Sequence, residues 1–155
     1  VTPSTTAVAE SGDLTAAILQ AAVDRIGGSA RPGQGEMAGR VAASFSSGDH
    51  LLVQAGTGTG KSLGYLAPAL AYLASNPEAR VVIATATLAL QAQLATKDIP
   101  AAVAACEEVS GRRIVHAVVK GRGNYACLLR VRDGRGEDQD SLLGGDELAV
   151  AGADQ

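Results

Sequence analysis

Between an apolar run and a helical pattern, the chain reads Ala55-Gly56-Thr57-Gly58-Thr59-Gly60-Lys61-Ser62. The apolar run, Leu51-Leu52-Val53, is typical of a buried strand. A strand, a glycine-rich turn and a helix in this order form a phosphate-binding loop. The glycines let successive backbone N–H groups turn toward an anion, and the helix N-terminus adds a partial positive charge. We call residues 55–62 the phosphate loop, and they predict a site for nucleotide phosphates.

The phosphate loop also contains the side chains that nucleotide chemistry requires. Lys61 can reach the β- and γ-phosphates and the Ser62 hydroxyl can ligate Mg²⁺, so these two are the candidate catalytic residues. The pattern usually starts with glycine and starts here with Ala55, which is acceptable if the strand has not yet turned there. A chance match in a loop is the alternative, and the flanking strand and helix argue against it. The predicted nucleotide-binding residues of the loop are Gly56, Thr57, Gly58, Thr59, Gly60, Lys61 and Ser62.

Composition limits the class of protein. A chain of 155 residues can form about one domain with a real core, and 46% hydrophobic with 19% charged residues excludes a disordered chain. Two cysteines, Cys106 and Cys127, cannot form a disulfide framework. We expect no signal peptide and no membrane contact, because the first residues lack a basic region and no apolar stretch could span a bilayer. The scarcity of aromatic residues argues against a stacking platform for single strands.

Charge is distributed unevenly along the chain, although the net charge is only −3. Residues 112–135 hold seven basic residues and one acidic residue, whereas residues 136–155 hold six acidic residues and no basic one. The basic segment is either a contact region for a phosphate backbone or an ordinary charged surface. Charge alone leaves both interpretations open.

Hydrophobic periodicity predicts alternating helices and strands. Helices are expected over 14–26, from about 37 to Gly48, over 60–73, from Thr87, and over 99–108. Asp13 is expected to cap the first helix and Gly27-Gly28 to end it. Strands are expected at 51–54, 81–84 and 114–119. The first two strands start 30 residues apart, which suits a βαβ unit. The pattern predicts an α/β fold with a parallel sheet and flanking helices.

Four stretches resemble motifs of the DinG-type iron–sulfur DNA helicases of superfamily 2, which are relatives of XPD. The first is Arg31-Pro32-Gly33-Gln34-Gly35-Glu36-Met37, which resembles the Q motif. Residues 55–70 resemble motif I with its initial alanine and its Pro68, and residues 84–94 resemble motif Ia. The fourth stretch, Lys120-Gly121-Arg122-Gly123-Asn124-Tyr125-Ala126-Cys127, resembles the entry to the cluster-binding insert. The match covers about residues 29–130, and the ordered set of four motifs is specific.

The resemblance implies a partial RecA-like P-loop domain that uses ATP and Mg²⁺ to translocate on and unwind DNA in the 5′–3′ direction. The expected DNA is single-stranded or carries a single-stranded overhang, and the expected location is the bacterial cytoplasm, at the nucleoid. The family pattern places Arg31 and Gln34 at the nucleotide, Thr85, Thr87, Gln93, Lys120 and Arg122 at the DNA, and Cys127 as the first ligand of a [4Fe–4S] cluster. The implied organisation is a flexible tail at 1–10, the ATP-binding domain at 11–122, and the start of the cluster insert with a linker at 123–155.

Elementary chemistry supports these roles to different degrees. A Gln34 amide can donate to N7 of adenine and accept from its N6–H, although a polar residue at a helix start is the alternative. The hydroxyls of Thr85 and Thr87 could bind a phosphate or cap the next helix, and Thr87 could do both. Cys106 lies in an apolar helical stretch and is expected to be a core thiol.

Several family features are missing after residue 130. The chain has no acidic Asp-Glu-Ala-His-type box, no three further cysteines and no second RecA-like domain with an arginine finger. We therefore expect the N-terminal part of a longer enzyme that ends inside the cluster insert and by itself binds nucleotide weakly. The alternatives are a P-loop ATPase without helicase action, and a non-catalytic nucleotide- or DNA-binding module.

Overall fold

The computed structural model describes residues 5–29, 31–56, 58–126 and 128, with the side chains of residues 5–11 left out. The helices are α1 (Thr5–Arg25), α2 (Pro32–Ser47), α3 (Lys61–Ser75), α4 (Leu88–Gln93) and α5 (Ile99–Ser110), with a π-helical turn over Leu94–Asp98 and a 3₁₀ turn over Arg122–Asn124. The chain divides into two units, Val1–Ala117 and Val118–Gln155, and each is described by itself.

Glycines end two helices where the sequence predicts it. Gly27 takes a left-handed φ of 66° after α1, and the Gly28 N–H donates to the Val23 oxygen at 3.0 Å. Gly48, with a φ of 77°, ends α2, and its N–H donates to the Ser44 oxygen at 2.9 Å. Left-handed backbone is nearly free of strain only for glycine, so these two predictions are confirmed for a local reason.

The start of α1 differs from the expectation. The helix begins at Thr5, so it extends into residues 1–10, where a flexible tail was expected. Asp13 consequently lies inside the helix and does not cap it. Ala7, Ala9 and Glu10 are good helix formers and support these additional turns.

The core of the first unit is made by helices. Side chains of α1, α3, the π-helical turn and α5 form one apolar cluster that includes Ile18, Leu66, Leu70, Leu94 and Cys106. Helix α2 packs against α1 and α3, and the ring of Phe45 stacks on that of Tyr72 with centroids 4.9 Å apart. This helix packing sets the position of α2 beside the phosphate loop.

The parallel sheet predicted from three apolar runs is not confirmed. Residues 51–54, 81–84 and 114–119 contain no β-strand and no helix in the described part of the chain. Leu52, Val82 and Val115 are 98%, 89% and 88% exposed. A strand is defined by hydrogen bonds to a neighbouring strand, and apolar β-branched runs indicate a capacity for pairing without supplying the neighbour.

Candidate functional site

The phosphate loop leads directly into the first turn of α3. Gly58 and Gly60 have φ angles of 76° and 77°, and α3 begins at Lys61. Thr57 lies outside the described residues. Two left-handed positions in one short turn explain why the sequence has glycine at both. The loop presents the N-terminal end of α3, where backbone N–H groups lack helical partners and favour an anion.

Lys61 is folded back onto its own loop. Its Nζ donates to the Ala55 oxygen at 3.0 Å and to the Gly56 oxygen. The Thr59 hydroxyl donates to the same Gly56 oxygen at 2.9 Å. Phosphate oxygens are stronger acceptors for an ammonium than neutral carbonyls, so a triphosphate could replace these contacts. The donors at this site and the Ser62 hydroxyl therefore fit a magnesium nucleotide chemically.

Gln34 contacts the phosphate loop from α2. The side chain is buried, with 5% exposure, and its Nε2 donates to the Gly60 oxygen at 2.8 Å. The same oxygen accepts the Gly64 N–H at 3.2 Å, as the first carbonyl of the α3 hydrogen-bond pattern. The structure thus brings Gln34 together with Gly60, the last glycine of the phosphate loop. Arg31, the residue before α2, has an exposed side chain and an extended backbone with φ −122° and ψ 129°.

Two glycines, Gly60 before α3 and Gly64 in its first turn, make this contact possible, and the sequence analysis missed Gly64. A Cβ on Gly60 would lie 2.3 Å from Gln34 Nε2, and a Cβ on Gly64 would lie 3.2 Å from Met37 Sδ. Both neighbours belong to α2, so both glycines face that helix. The spacing of Gly60 and Gly64 was the available signal that α3 packs closely on another backbone.

Two further polar residues near the loop were also missed. Tyr65 lies one helical turn after Ser62 on α3. Burial raises the pKa of Tyr65, the side chain of Ser62 lowers it in part, and the negative charge of Asp98 raises it further. Asp98 is only 6% exposed and accepts a hydrogen bond from Gln93 Nε2 at 3.0 Å. The Ser62–Tyr65 spacing of one helical turn was the only sequence signal.

The residues matched to motif Ia begin α4. The Thr87 hydroxyl accepts the Leu90 N–H at 3.2 Å, so Thr87 is the cap of this helix, as one of the two alternatives predicted. The Thr85 hydroxyl donates to the Thr87 oxygen at 3.4 Å. Thr87 and Gln93 are exposed and Thr85 is half-buried. DNA contact by these three residues stays a prediction.

Lys120 and Arg122 belong to the second unit. Both side chains are exposed, and Arg122 starts the 3₁₀ turn. The backbone N–H of Lys120 donates to the Tyr125 hydroxyl at 2.9 Å. This contact closes the segment around the turn and leaves the two basic side chains to solvent.

The cysteines have different outcomes. Cys106 is a free, fully buried thiol in the core cluster, as predicted. Cys127 lies outside the described residues. Among the described residues no group of three or more His, Cys, Asp or Glu side chains could hold a metal ion. A single buried thiol cannot hold an iron–sulfur cluster, which needs four ligands.

No helix in the described part of the chain is both long and apolar enough to cross a membrane.

Comparison with known proteins identifies the family. Residues 35–120 match the model of the DEAD/DEAH box helicases, which implies a RecA-like P-loop fold. The chain is 49% identical over 116 residues to the ATP-dependent helicase DinG of Mycobacterium tuberculosis, covering 75% of this chain and 17% of that protein. It is 40% identical over 116 residues to the ATP-dependent DNA helicase YoaA of Escherichia coli, covering 75% of this chain and 16% of that protein.

A third relative has a different name. The chain is 34% identical over 111 residues to the 3′-5′ exonuclease DinG of Bacillus subtilis, covering 72% of this chain and 11% of that protein. The chain thus spans about one-sixth or less of the length of these three relatives. No solved structure matches it. Since the family model covers more than half of the residues, and the relatives share its phosphate-loop region, the chain belongs to the DEAD/DEAH box helicase family and is of the DinG type.

Proposed function

We propose that the chain binds Mg²⁺–ATP at the phosphate loop and supplies this site to an ATP-dependent DNA helicase. The observation that carries the proposal is the position of Lys61 at the N-terminal end of α3, directly after two left-handed glycines. Lys61 would exchange the carbonyl oxygens of Ala55 and Gly56 for phosphate oxygens. Ser62 would hold Mg²⁺, which neutralises charge that develops on the transferring phosphate.

The test compares two lysine variants in the native gene product that contains these residues. Lys61→Ala is expected to abolish ATP turnover and nucleotide binding, because the ammonium that contacts the phosphates is lost. Lys97→Ala is the matched control, because Lys97 is exposed and lies outside the loop. Without nucleotide, the free energy of unfolding of both variants should lie within about 0.5 kcal/mol of the wild-type value, as is usual for substitutions at exposed or half-exposed positions. Normal ATP binding by folded Lys61→Ala would contradict the proposal.

We also propose that Gln34 selects adenine while it holds the loop. An amide nitrogen carries two hydrogens, so Nε2 can donate one to Gly60 and the other to adenine N7, and Oε1 can accept from N6–H. Arg31 would lie at the same nucleotide. Gln34→Ala should weaken ATP binding by about 1–3 kcal/mol and narrow the difference between ATP and GTP. Unchanged ATP affinity with GTP still excluded would place adenine selection elsewhere.

The sheet belongs to the proposal as well. Residues 51–54, 81–84 and 114–119 would be strands of a parallel sheet. A groove of about 540 Å³ supports this, because apolar side chains of α2, Met37 and Val41, line it together with Leu51 and Val53, as a flanking helix faces a strand. Amide hydrogens of these segments should exchange slowly in the native gene product. Fast exchange in all three segments would count against the sheet.

DNA, the cluster and the location complete the proposal. The DNA would be single-stranded or carry a single-stranded overhang, and unwinding would run 5′–3′ in the cytoplasm. The residues near the DNA would be Thr85, Thr87, Gln93, Lys120 and Arg122.

Cys127 would be the first ligand of a [4Fe–4S] cluster. Cys127→Ser should remove the iron and its visible absorbance, whereas Cys106→Ser should retain both. ATP turnover without strand separation would instead favour a non-helicase P-loop ATPase.

A further inference from the structure

Tyr125 closes a short turn in the second unit, residues 120–125, which we call the basic turn. Its backbone N–H donates to the Arg122 oxygen at 3.3 Å, and its side-chain hydroxyl accepts the Lys120 N–H at 2.9 Å. The main chain of Tyr125 thus holds the middle of the turn, and its side chain holds the start. Because the ring lies between these two attachments, its position relative to the basic turn is fixed.

The ring of Tyr125 is also exposed. All four aromatic residues of the chain lie among the described residues, and Phe45, Tyr65 and Tyr72 are half-buried on helices, whereas Tyr125 is 56% exposed. An aromatic ring carries a large, flat apolar surface, and a tyrosine hydroxyl anchors one end of it through a hydrogen bond. A surface that is already fixed binds a partner with little further loss of conformational freedom.

The charge around this ring is positive. The side chains of Lys120 and Arg122 are exposed, and the sequence has no acidic residue between Glu108 and Asp133. Basic side chains attract phosphates, and an aromatic face stacks on a nucleic-acid base. In a duplex the bases are stacked on one another, so a single strand is the partner that offers both a phosphate backbone and a free base face.

We propose that the ring of Tyr125 stacks on one base of single-stranded DNA while Lys120 and Arg122 contact the neighbouring phosphates. The inference rests on the proposed function, which places the two basic residues near DNA, and it adds a contact with a base. One ring serves one base, so the scarcity of aromatic residues, which argues against an extended stacking platform, is compatible with it. Every base has a flat face, so this contact holds the strand without reading its sequence.

The test compares two oligonucleotides of equal length, oligothymidylate and an abasic strand that keeps the phosphates and lacks the bases. In the native gene product, Tyr125→Leu should weaken binding of oligothymidylate about fivefold or more, the effect of one stack between a base and a ring. Binding of the abasic strand should be unchanged. Leu128→Ala is the matched control, because Leu128 is an exposed apolar residue of the same unit without a ring. The control should behave like the wild type on both strands.

Two further variants separate the ring from the phosphate contacts. Arg122→Ala should weaken binding of both strands alike and make the slope of log K against log salt shallower by roughly 0.7, whereas Tyr125→Leu should leave the slope unaltered. Tyr125→Phe keeps the ring and loses only the hydroxyl, so it should retain more affinity for oligothymidylate than Tyr125→Leu does.

Three results would overturn the stacking contact. They are unchanged oligothymidylate affinity in Tyr125→Leu, an equal loss on the two strands in that variant, and equal losses in Tyr125→Phe and Tyr125→Leu, which would assign the effect to the hydroxyl. A wild-type protein that binds neither strand, or an Arg122→Ala variant that binds both as the wild type does, would instead overturn the proposed position of the DNA.

Discussion

Gln34 Nε2 donates a 2.8 Å hydrogen bond to the main-chain oxygen of Gly60, across 26 residues of sequence. The bond joins the helix of the Q-motif segment to the last glycine of the phosphate loop. Gly60 is in left-handed backbone, and a Cβ there would occupy the position of the Gln34 amide. The identity of residue 60 is therefore restricted twice, by its φ angle and by its neighbour.

Gly60→Ala should destabilise the chain more than Gly58→Ala. Both glycines have left-handed φ angles, which cost an alanine about 1–2 kcal/mol. Only Gly60 faces a neighbour, since a Cβ on Gly58 meets nothing within 4 Å. The excess should be about 0.5–1.5 kcal/mol, the value of the displaced hydrogen bond, in urea unfolding. This excess should disappear when Gln34 is already replaced by alanine. If Gly60→Ala showed the same excess destabilisation with and without the Gln34 side chain, the coupling between residues 34 and 60 would be disproved.

Thr87→Ala should destabilise the chain by about 1 kcal/mol, because it removes the cap of α4. Thr85→Ala is the matched control and should cost no more than about 0.5 kcal/mol, since the Thr85 hydroxyl makes only a long bond of 3.4 Å. Thermal unfolding of the two variants gives the comparison. If Thr85→Ala were the more damaging change, the capping role of Thr87 would be wrong.

Cys106 should resist thiol reagents in the folded chain. Burial raises the pKa of this thiol, the Ser110 hydrogen bond opposes the shift in part, and Glu107 adds to it. A raised pKa means less thiolate, which is the reactive form. A Cys127→Ser background isolates Cys106, which should react slowly at pH 8 and quickly in denaturant. Rapid reaction of the folded protein would contradict the buried position.

The same shift gives a direction for stability against pH. A thiol with a raised pKa in the folded state binds its proton more tightly there than in the unfolded state. Its contribution is complete below the unfolded value of about 8.5 and is lost as pH rises through the folded value. The stability of the wild type relative to Cys106→Ala should therefore decrease above about pH 8.5, as measured by urea unfolding. An increase would give the wrong sign.

Lys120→Ala combined with Arg122→Ala should weaken the salt dependence of single-stranded DNA binding by the native gene product. Both side chains are exposed, and each phosphate contact contributes roughly −0.7 to the slope of log K against log salt. The slope should become shallower by about 1.4 without a new sequence preference, because phosphate contacts carry no base information. Arg40→Ala, an exposed change on α2, should leave the slope unaltered. An unchanged slope in the double variant would remove both residues from the DNA path.

The sequence determined the parts of this protein that depend on neighbours along the chain. Gly27 and Gly48 end their helices because left-handed backbone is nearly free for glycine, and that preference acts within one turn. The order of an apolar run, a glycine-rich turn and a helix identified the phosphate loop, and the four motifs identified the family. These signals are local, so they can be read without the fold.

Only the tertiary structure decided which distant residues meet. Gln34 reaches Gly60 because Gly60 and Gly64 allow α2 to approach, and no periodicity in either segment specifies the partner. Asp98 is only 6% exposed because of helix packing, although aspartate is a residue type that is mostly exposed. The three apolar runs are a second example of an arrangement that local sequence does not determine. Strand pairing is a non-local hydrogen-bond pattern, so a run such as 81–84 indicates that the segment can pair but does not indicate which segment is its partner.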